Sequence, residues 1–316
     1  MIAALVLATL FAAATPEPRP GAPIEEQVRQ NGLVGEFARP PDPGRHAAVI
    51  VLGGFDGGVP GEDLAFAELG YSALALAYFG VSPLPKAIDQ IPVETVSHAI
   101  DWLDGNPEVD PARIGIVGIS DGAALALLGA ALDPRIKTVA VISPTAYVWF
   151  APVFDGGYER SSWTARNTQL AFISPNGTAV DAFGKAYQSG GTYAFRDLYD
   201  ASLSSAPAST VASATIPVER IAGPILCVAG DDDRKWDSAG SCAVIAARRK
   251  LAHRDGRDQV VIEHGAGHTL GLGGRPTPVT LPAGKAQLLM GGTLDANTRG
   301  AADEWARMLS FLGRNL

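Results

Sequence analysis

A serine set between two glycines, in Gly118-Ile119-Ser120-Asp121-Gly122, is the residue of this sequence best placed for covalent chemistry. The run Arg113 to Val117 before it reads as a strand and Asp121 to Leu132 after it as a helix. A sharp strand-turn-helix exposes the side chain at its apex only if the flanking residues are small, because a bulky neighbour would collide with strand or helix. Gly118 and Gly122 meet that need. The turn also aims a helix N-terminus at the oxygen that becomes negative during acyl transfer. In a chain with 36 glycines the pattern G-x-S-x-G can arise by chance, so its weight comes from the strand and helix on either side.

A serine hydroxyl is a poor nucleophile until a base takes its proton, and the base needs a carboxylate to fix its tautomer. Nucleophiles on such a turn take their partners in the chain order serine, acid, histidine. Of five histidines, His268 in Gly265-Ala266-Gly267-His268 follows the last apolar run on a glycine turn that can carry an imidazole back over Ser120. His264 is the nearest rival, but its place at a strand end suits a packed or surface residue. His46 precedes a strand, and His98 and His253 fall on predicted helices. The acid is expected after Ile225-Leu226-Cys227-Val228-Ala229, where Asp231, Asp232 and Asp233 stand side by side. They cannot all face one imidazole. One is expected to be catalytic, one to cap the following turn and one to be solvated, and spacing leaves the choice open.

The oxyanion of an acyl-transfer intermediate needs two N–H donors. Asp121 supplies one from its backbone, and the loop Gly53-Gly54-Phe55-Asp56-Gly57-Gly58 is expected to supply the other from Gly54 or Phe55. That loop lacks the lysine of a phosphate-binding P-loop and the spacing of a dinucleotide fingerprint. The chemistry asks for no metal and no cofactor.

These residues must be presented by strands. Apolar runs at Ala47 to Leu52, Ser72 to Tyr78, Arg113 to Val117, Thr138 to Ile142, Ile225 to Val228 and Gln259 to Glu263 alternate with helical patterns. The helices are expected at Glu62 to Leu69, Val93 to Leu103, Asp121 to Leu132, Ser238 to Ala252 and Arg299 to Leu312, the last capped by Asn297 or Thr298. Such alternation predicts an α/β fold with a mostly parallel, doubly wound sheet. Residues 147–219 lose the period and become rich in Gly, Ser and Ala around scattered aromatics. This insertion before the acid-bearing strand is expected to be a lid facing the substrate, with Trp149, Phe150 and Trp163 lining the pocket.

The chain has 316 residues, of which 47% are hydrophobic and 18% charged, enough for one large core. A net charge of -8 without any basic run argues against nucleic acid as partner. Arg248-Arg249-Lys250 reads as the last turn of a helix, complementing its dipole. Residues 1–14 form a short apolar run ending in small residues, too short for a membrane span and similar to a signal peptide, although no Lys or Arg precedes it. On this reading the protein is periplasmic or secreted, 15–45 is a linker and N-terminal extension, and 46–316 is the folded domain with no stable membrane span. Cys227 and Cys242 could pair in an oxidising compartment, but Cys227 could equally be a small buried apolar residue.

The sequence also resembles a known family: the C-terminal catalytic domain of acyl-CoA thioesterases and bile acid-CoA:amino acid N-acyltransferases, related to dienelactone hydrolase. The segments that carry the resemblance include Leu74 to Phe79, Ala99 to Leu103, Gly115 to Ser120, Ser161 to Thr164, Gly223 to Leu226, Asp232-Asp233 with Trp236, and Gly291-Gly292-Thr293 with Ala296-Asn297. The resemblance implies an α/β-hydrolase fold, a nucleophile at Ser120, a base at His268 and, three residues before the Trp, an acid at Asp233. Three departures stand out. There is no room for the β-sandwich that precedes this domain in mammalian members, the position after the serine is often Lys in the family and is Asp121 here, and export would place the enzyme where acyl-CoA is scarce. The expected function is therefore a serine hydrolase acting on a small-molecule ester or thioester. The alternatives are a cytoplasmic acyl-CoA thioesterase or N-acyltransferase and a binding protein without catalysis.

Overall fold

Every residue of the strand His46–Leu52 is buried, a state reached only when both faces of a sheet are covered. Ala47, Val49 and Val51 enter one apolar cluster, and Ala48, Ile50 and Leu52 enter the other, as the period of two requires. A computed structural model describes residues 21–152, 159–271 and 278–316. The signal-peptide reading of 1–14 and the first part of the 15–45 stretch lie outside the described residues.

In chain order the strands are β1 (Ile24–Gln30), β2 (Leu33–Arg39), β3 (His46–Leu52), β4 (Ser72–Ala77), β5 (Ile91–Pro92), β6 (Val109–Ile119), β7 (Ile136–Ile142), β8 (Trp163–Ala165), β9 (Thr168–Gln169), β10 (Thr192–Tyr193), β11 (Ile225–Gly230), β12 (Gln259–Glu263), β13 (Thr280–Ala283) and β14 (Ala286–Leu289). The helices are α1 (Asp63–Glu68), α2 (Thr95–Asp104), α3 (Asp121–Leu132), α4 (Gly177–Ser189), α5 (Phe195–Ser205), α6 (Ala208–Ala214), α7 (Ser238–Leu251) and α8 (Leu294–Asn315). Eight strands form the main sheet in the order β1-β2-β4-β3-β6-β7-β11-β12. Pairing is parallel from β4 to β12, and β2 runs antiparallel to both neighbours. The six parallel strands are the six apolar runs of the sequence. Helices α2, α3 and α7 pack on one face through Val96, Ile100, Leu125 and Ile245, and α1 and α8 on the other through Phe66, Met308 and Phe311. The fold is thus α/β with a doubly wound sheet.

The stretch 15–45 is more than a linker. It holds the hairpin β1–β2, whose turn residues Asn31 and Gly32 both have positive φ, the conformation for which Asn-Gly is selected in two-residue hairpins. The sequence carried this signal, but β1 buries only Val28, so it shows almost no apolar pattern. The last helix begins five residues before the expected Arg299, and its cap is Thr293, whose hydroxyl accepts from the Ala296 N–H. Asn297 is instead fully buried and ties the helix to the His268 loop, accepting from the Gly267 N–H and donating to the Gly291 carbonyl.

The insertion contains α4, α5 and α6 and the short strands β8, β9 and β10. The basic cluster also does more than complement a dipole. Arg249 is 1% exposed, and its guanidinium donates to the carbonyls of Ile221, Gly223 and Arg254 and to both oxygens of Asp258. It thereby pins the segment entering β11. Cys227 on β11 and Cys242 on α7 form a disulfide, with Cα atoms 5.8 Å apart. Among the described residues no helix is long and apolar enough to cross a membrane.

On α8, Glu304 is completely buried, and neither carboxyl oxygen has a hydrogen-bond partner among the described residues. Burial, followed by the charges of Glu263 and Glu62, pushes its pKa well above the ordinary 4.5. A carboxyl whose pKa is raised on folding contributes stability that is fully present below its unfolded pKa and is lost as pH rises through the folded one. Glu304→Met should therefore stabilise the fold by about 1–3 kcal/mol near pH 8. In thermal unfolding across pH, the gap to wild type should close as pH falls toward 4; a constant gap would show that Glu304 does not titrate with folding.

Candidate active site

The backbone at Ser120 has φ 56° and ψ −122°, a conformation that non-glycine residues adopt only when the surroundings force it. The force comes from close main-chain approach. A Cβ at Gly118 would stand 2.3 Å from the Gly122 carbonyl oxygen, and one at Gly122 would stand 2.2 Å from that of Gly53. Both glycines are sterically required. Ser120 also donates its N–H to the Ile142 carbonyl at the end of β7, so the apex is held between β3 and β7.

His268 Nε2 lies 2.7 Å from Ser120 Oγ, and His268 Nδ1 lies 2.8 Å from Asp233 Oδ2. All three residues are buried, Asp233 completely. The second oxygen of Asp233 accepts from the N–H groups of Lys235 and Trp236 at 2.8 and 3.3 Å, so one aspartate both orients the histidine and caps its own turn. Asp231 accepts instead from the Gly265 N–H and pairs with His264 Nδ1 at 2.8 Å. The His264 hydrogen bond is the main reason that the Asp231 carboxyl sits below its usual range. Asp232 accepts from the Gly292 N–H and pairs with Arg234. His264 has a side chain 88% exposed and takes no part in the Ser120 cluster.

The histidine loop is fixed from several sides. The His268 N–H donates to the Met290 carbonyl, its own carbonyl accepts from Ser143 Oγ, and the Trp236 ring meets the imidazole edge to face at 5.3 Å. Trp236 donates its indole N–H to the Ser143 carbonyl. Sequence reading missed Ser143; its position directly after β7, at the carboxyl edge of a parallel sheet, was the available signal.

A cavity of about 560 Å³ opens beside Ser120 and His268. Gly54 and Phe55 line it, together with Val59, Pro60, Leu270, Leu281 and Met290. The Gly54 backbone runs against the nucleophile, since a Cβ there would lie 3.4 Å from that of Ser120. Tyr78 holds the loop by donating its hydroxyl to the Gly53 carbonyl at 2.9 Å. The residues expected to donate to an oxyanion (Asp121, Gly54 and Phe55) therefore cluster around Ser120.

The expected pocket aromatics are elsewhere. Trp149 and Phe150 pack with Tyr199 and Trp236 in a separate apolar cluster, and Trp163 sits in the main core beside Tyr78. None of the three is among the described residues lining the cavity. They are bulky aromatic side chains, and burying them in an interior away from the nucleophile gains more than lining an open cleft. The described part of the insertion reaches the site from behind, through the ring sequence Trp149, Tyr199, Trp236 and His268. The far wall of the cavity comes from the β13–β14 hairpin through Leu281, Pro282 and Met290. Its only sequence mark is a glycine, Gly284, in a left-handed turn.

The family profile described as BAAT / acyl-CoA thioester hydrolase C terminal matches residues 91–316. The peroxisomal succinyl-coenzyme A thioesterase of Mus musculus is 26% identical over 298 residues, covering 92% of this chain and 65% of the relative. Acyl-coenzyme A thioesterase 1 of Homo sapiens is 27% identical over 300 residues, with the same coverage. The chain thus spans just under two thirds of these relatives. In fold it is similar to a dienelactone hydrolase-like promiscuous phosphotriesterase from metagenomic libraries, with a TM-score of 0.57 at 15% identity over 93% of this chain and 99% of that one. It is also similar to a puromycin-hydrolyzing peptidase of Mycobacterium tuberculosis, with a TM-score of 0.53 at 15% identity over 93% of this chain and 39% of that one.

The three aspartates can be told apart by the rate at which a fluorophosphonate labels the protein. Asp233→Asn should slow labelling by about 10⁴-fold, since it leaves the imidazole in the wrong tautomer. Asp231→Asn, on an exposed pair, should change it by no more than about twofold. Equal losses in the two variants would contradict the assignment.

Proposed function

The chain belongs to the BAAT / acyl-CoA thioester hydrolase C-terminal family, and we propose that it is a serine hydrolase cleaving carboxylic esters or thioesters through an acyl-enzyme on Ser120. The observation that carries this reading is the continuous hydrogen-bond chain from Ser120 through His268 to Asp233 at the wall of an apolar cavity. His268 Nε2 takes the proton as Ser120 Oγ bonds to the substrate carbonyl carbon. The carbonyl electron pair moves onto oxygen, and the backbone N–H of Asp121, at the start of α3, receives that charge with a second donor from Gly54 or Phe55. Collapse of the intermediate expels the alcohol or thiol, which takes the proton from His268. Water activated by the same histidine then releases the acid and restores Ser120. Asp233 holds the imidazole in the tautomer that presents a bare Nε2 to the serine.

A cavity of about 560 Å³ whose walls are apolar in greater part falls within the size range of small-molecule sites and suits an acyl chain of modest length. A second reading, a cytoplasmic acyl-CoA thioesterase or N-acyltransferase, draws on the names of the curated relatives, which are acyl-CoA thioesterases. The Cys227–Cys242 disulfide favours the first reading together with export to the periplasm or medium, because disulfides persist in oxidising compartments.

Purified enzyme assayed on matched p-nitrophenyl esters and acyl-CoAs should prefer the esters in kcat/KM, and Ser120→Ala should lower either activity by at least about 10³-fold. Undiminished turnover in Ser120→Ala would refute the acyl-enzyme, while a preference for acyl-CoA would favour the second reading. N-terminal sequencing of protein from fractionated cells should find a processed start near Thr15 outside the cytoplasm; Met1 on cytoplasmic protein would overturn export.

A further inference from the structure

A carboxylate directly after the nucleophile works against the chemistry just described. The N–H of Asp121 is to stabilise a developing oxyanion while its own side chain brings negative charge to the same end of α3. That side chain is only 13% exposed, and its Oδ2 is buried without a hydrogen-bond partner among the described residues. The charge is felt by both tyrosines nearby. Burial first, and then Asp121, raises the hydroxyls of Tyr78 and Tyr199 above the ordinary tyrosine value.

Among the described residues, a cation from the acid loop stands beside it. Lys235 is 3% exposed, a rare state for a lysine, and its Nζ lies 3.9 Å from Asp121 Oδ2. The rings of Phe55, Phe195 and Trp236 surround that ammonium, with centroids 4.9, 4.8 and 5.3 Å away. Aromatic faces hold a cation without neutralising it, so its charge remains available to Asp121. Phe55, one of the rings against the ammonium, also lines the cavity. In such a buried, apolar setting the interaction of the two charges is stronger than at a surface. The loop fixes the lysine as well, because its backbone N–H is one of the two main-chain donors to Asp233.

We propose that Lys235 is a positioning residue for catalysis: its caged ammonium offsets the Asp121 carboxylate and keeps the N-terminal end of α3 electropositive where the oxyanion forms. The inference rests on the serine-hydrolase reading and gives that site a regulator of its electrostatics. It predicts that the lysine matters only because of the aspartate. With Asp121 present, Lys235→Met should lower kcat on an ester by about 10- to 100-fold, equivalent to raising the barrier by one or two tenfold steps, with KM changed less than about threefold. In the Asp121→Asn background the same substitution should cost less than about threefold.

The test is the four-protein cycle formed by the wild type, the two single variants and the double variant, read in kcat, KM and the fluorophosphonate labelling rate, with thermal unfolding to check folding. If Lys235→Met does not fold, Lys235→Gln, which keeps a polar end on a shorter stem, takes its place in the same cycle. Equal losses in the Asp121 and Asn backgrounds, or no loss in kcat with Asp121 present, would overturn the proposal. A wild type that neither turns over any ester or thioester nor accepts the fluorophosphonate would refute the parent reading instead, so the two failures are distinguishable.

Discussion

The site depends on one steric arrangement: three segments of main chain meet at Ser120 more closely than any side chain would allow. The end of β3, the end of β6 and the first turn of α3 approach so that Gly53, Gly118 and Gly122 touch through backbone atoms alone. The contact forces Ser120 into its left-handed conformation and leaves its hydroxyl at the end of a helix, facing the cavity. A methyl group at Gly118 or Gly122 would separate strand and helix and remove the geometry, whatever the rest of the core did. The core gives the contact its rigidity. Helix α3 is buried from Gly122 to Ala130, and a Cβ at Gly129 would meet Val96 of α2 at 2.6 Å, so the helix has no freedom to slide.

The base and acid reach this fixed point on loops, which have to be made rigid by other means. Hydrogen bonds from Ser143, to Met290 and through Asn297 tie the histidine loop to β7, β14 and α8. The Arg249 guanidinium, spread over the segment before β11, anchors the strand that leads to Asp233. The aromatic series from Trp149 to Trp236 then supports His268 from the side away from solvent. The described part of the insertion therefore acts as a buttress, and among the described residues the cavity is lined by the loop after β3, the stretch after His268 and the β13–β14 hairpin.

What the sequence disclosed follows from how local each signal is. The six parallel strands, buried on both faces, are continuous apolar runs and were visible as such. The Ser120 turn was visible because its glycine requirement is written within five residues. His268 could be picked by chain order, but the three aspartates could not be separated by spacing, since their division of labour depends on partners at Gly265, Gly292 and His268, more than thirty residues away. The hairpin β1–β2 escaped because an edge strand that buries one residue has little pattern, leaving only its Asn-Gly turn. The aromatics of the insertion misled for the opposite reason: a cluster of rings without period looks the same in sequence whether it lines a cleft or fills an interior.

Lys235 shows the same limit from the electrostatic side. In sequence it is one cation in Asp231-Asp232-Asp233-Arg234-Lys235, indistinguishable from Arg234, which faces outward to Asp232 with its side chain 48% exposed. Two residues after the acid, the turn sends its side chain inward under Phe55, because Asp233 accepts from the Lys235 N–H and so fixes the direction of the chain. The acid that orients the base thus also sets the cation beside Asp121. A substitution that moved Asp233 would disturb both the tautomer of His268 and the charge balance at the start of α3. The two effects would appear together in kcat, and only variants of Lys235 and Asp121 could separate them.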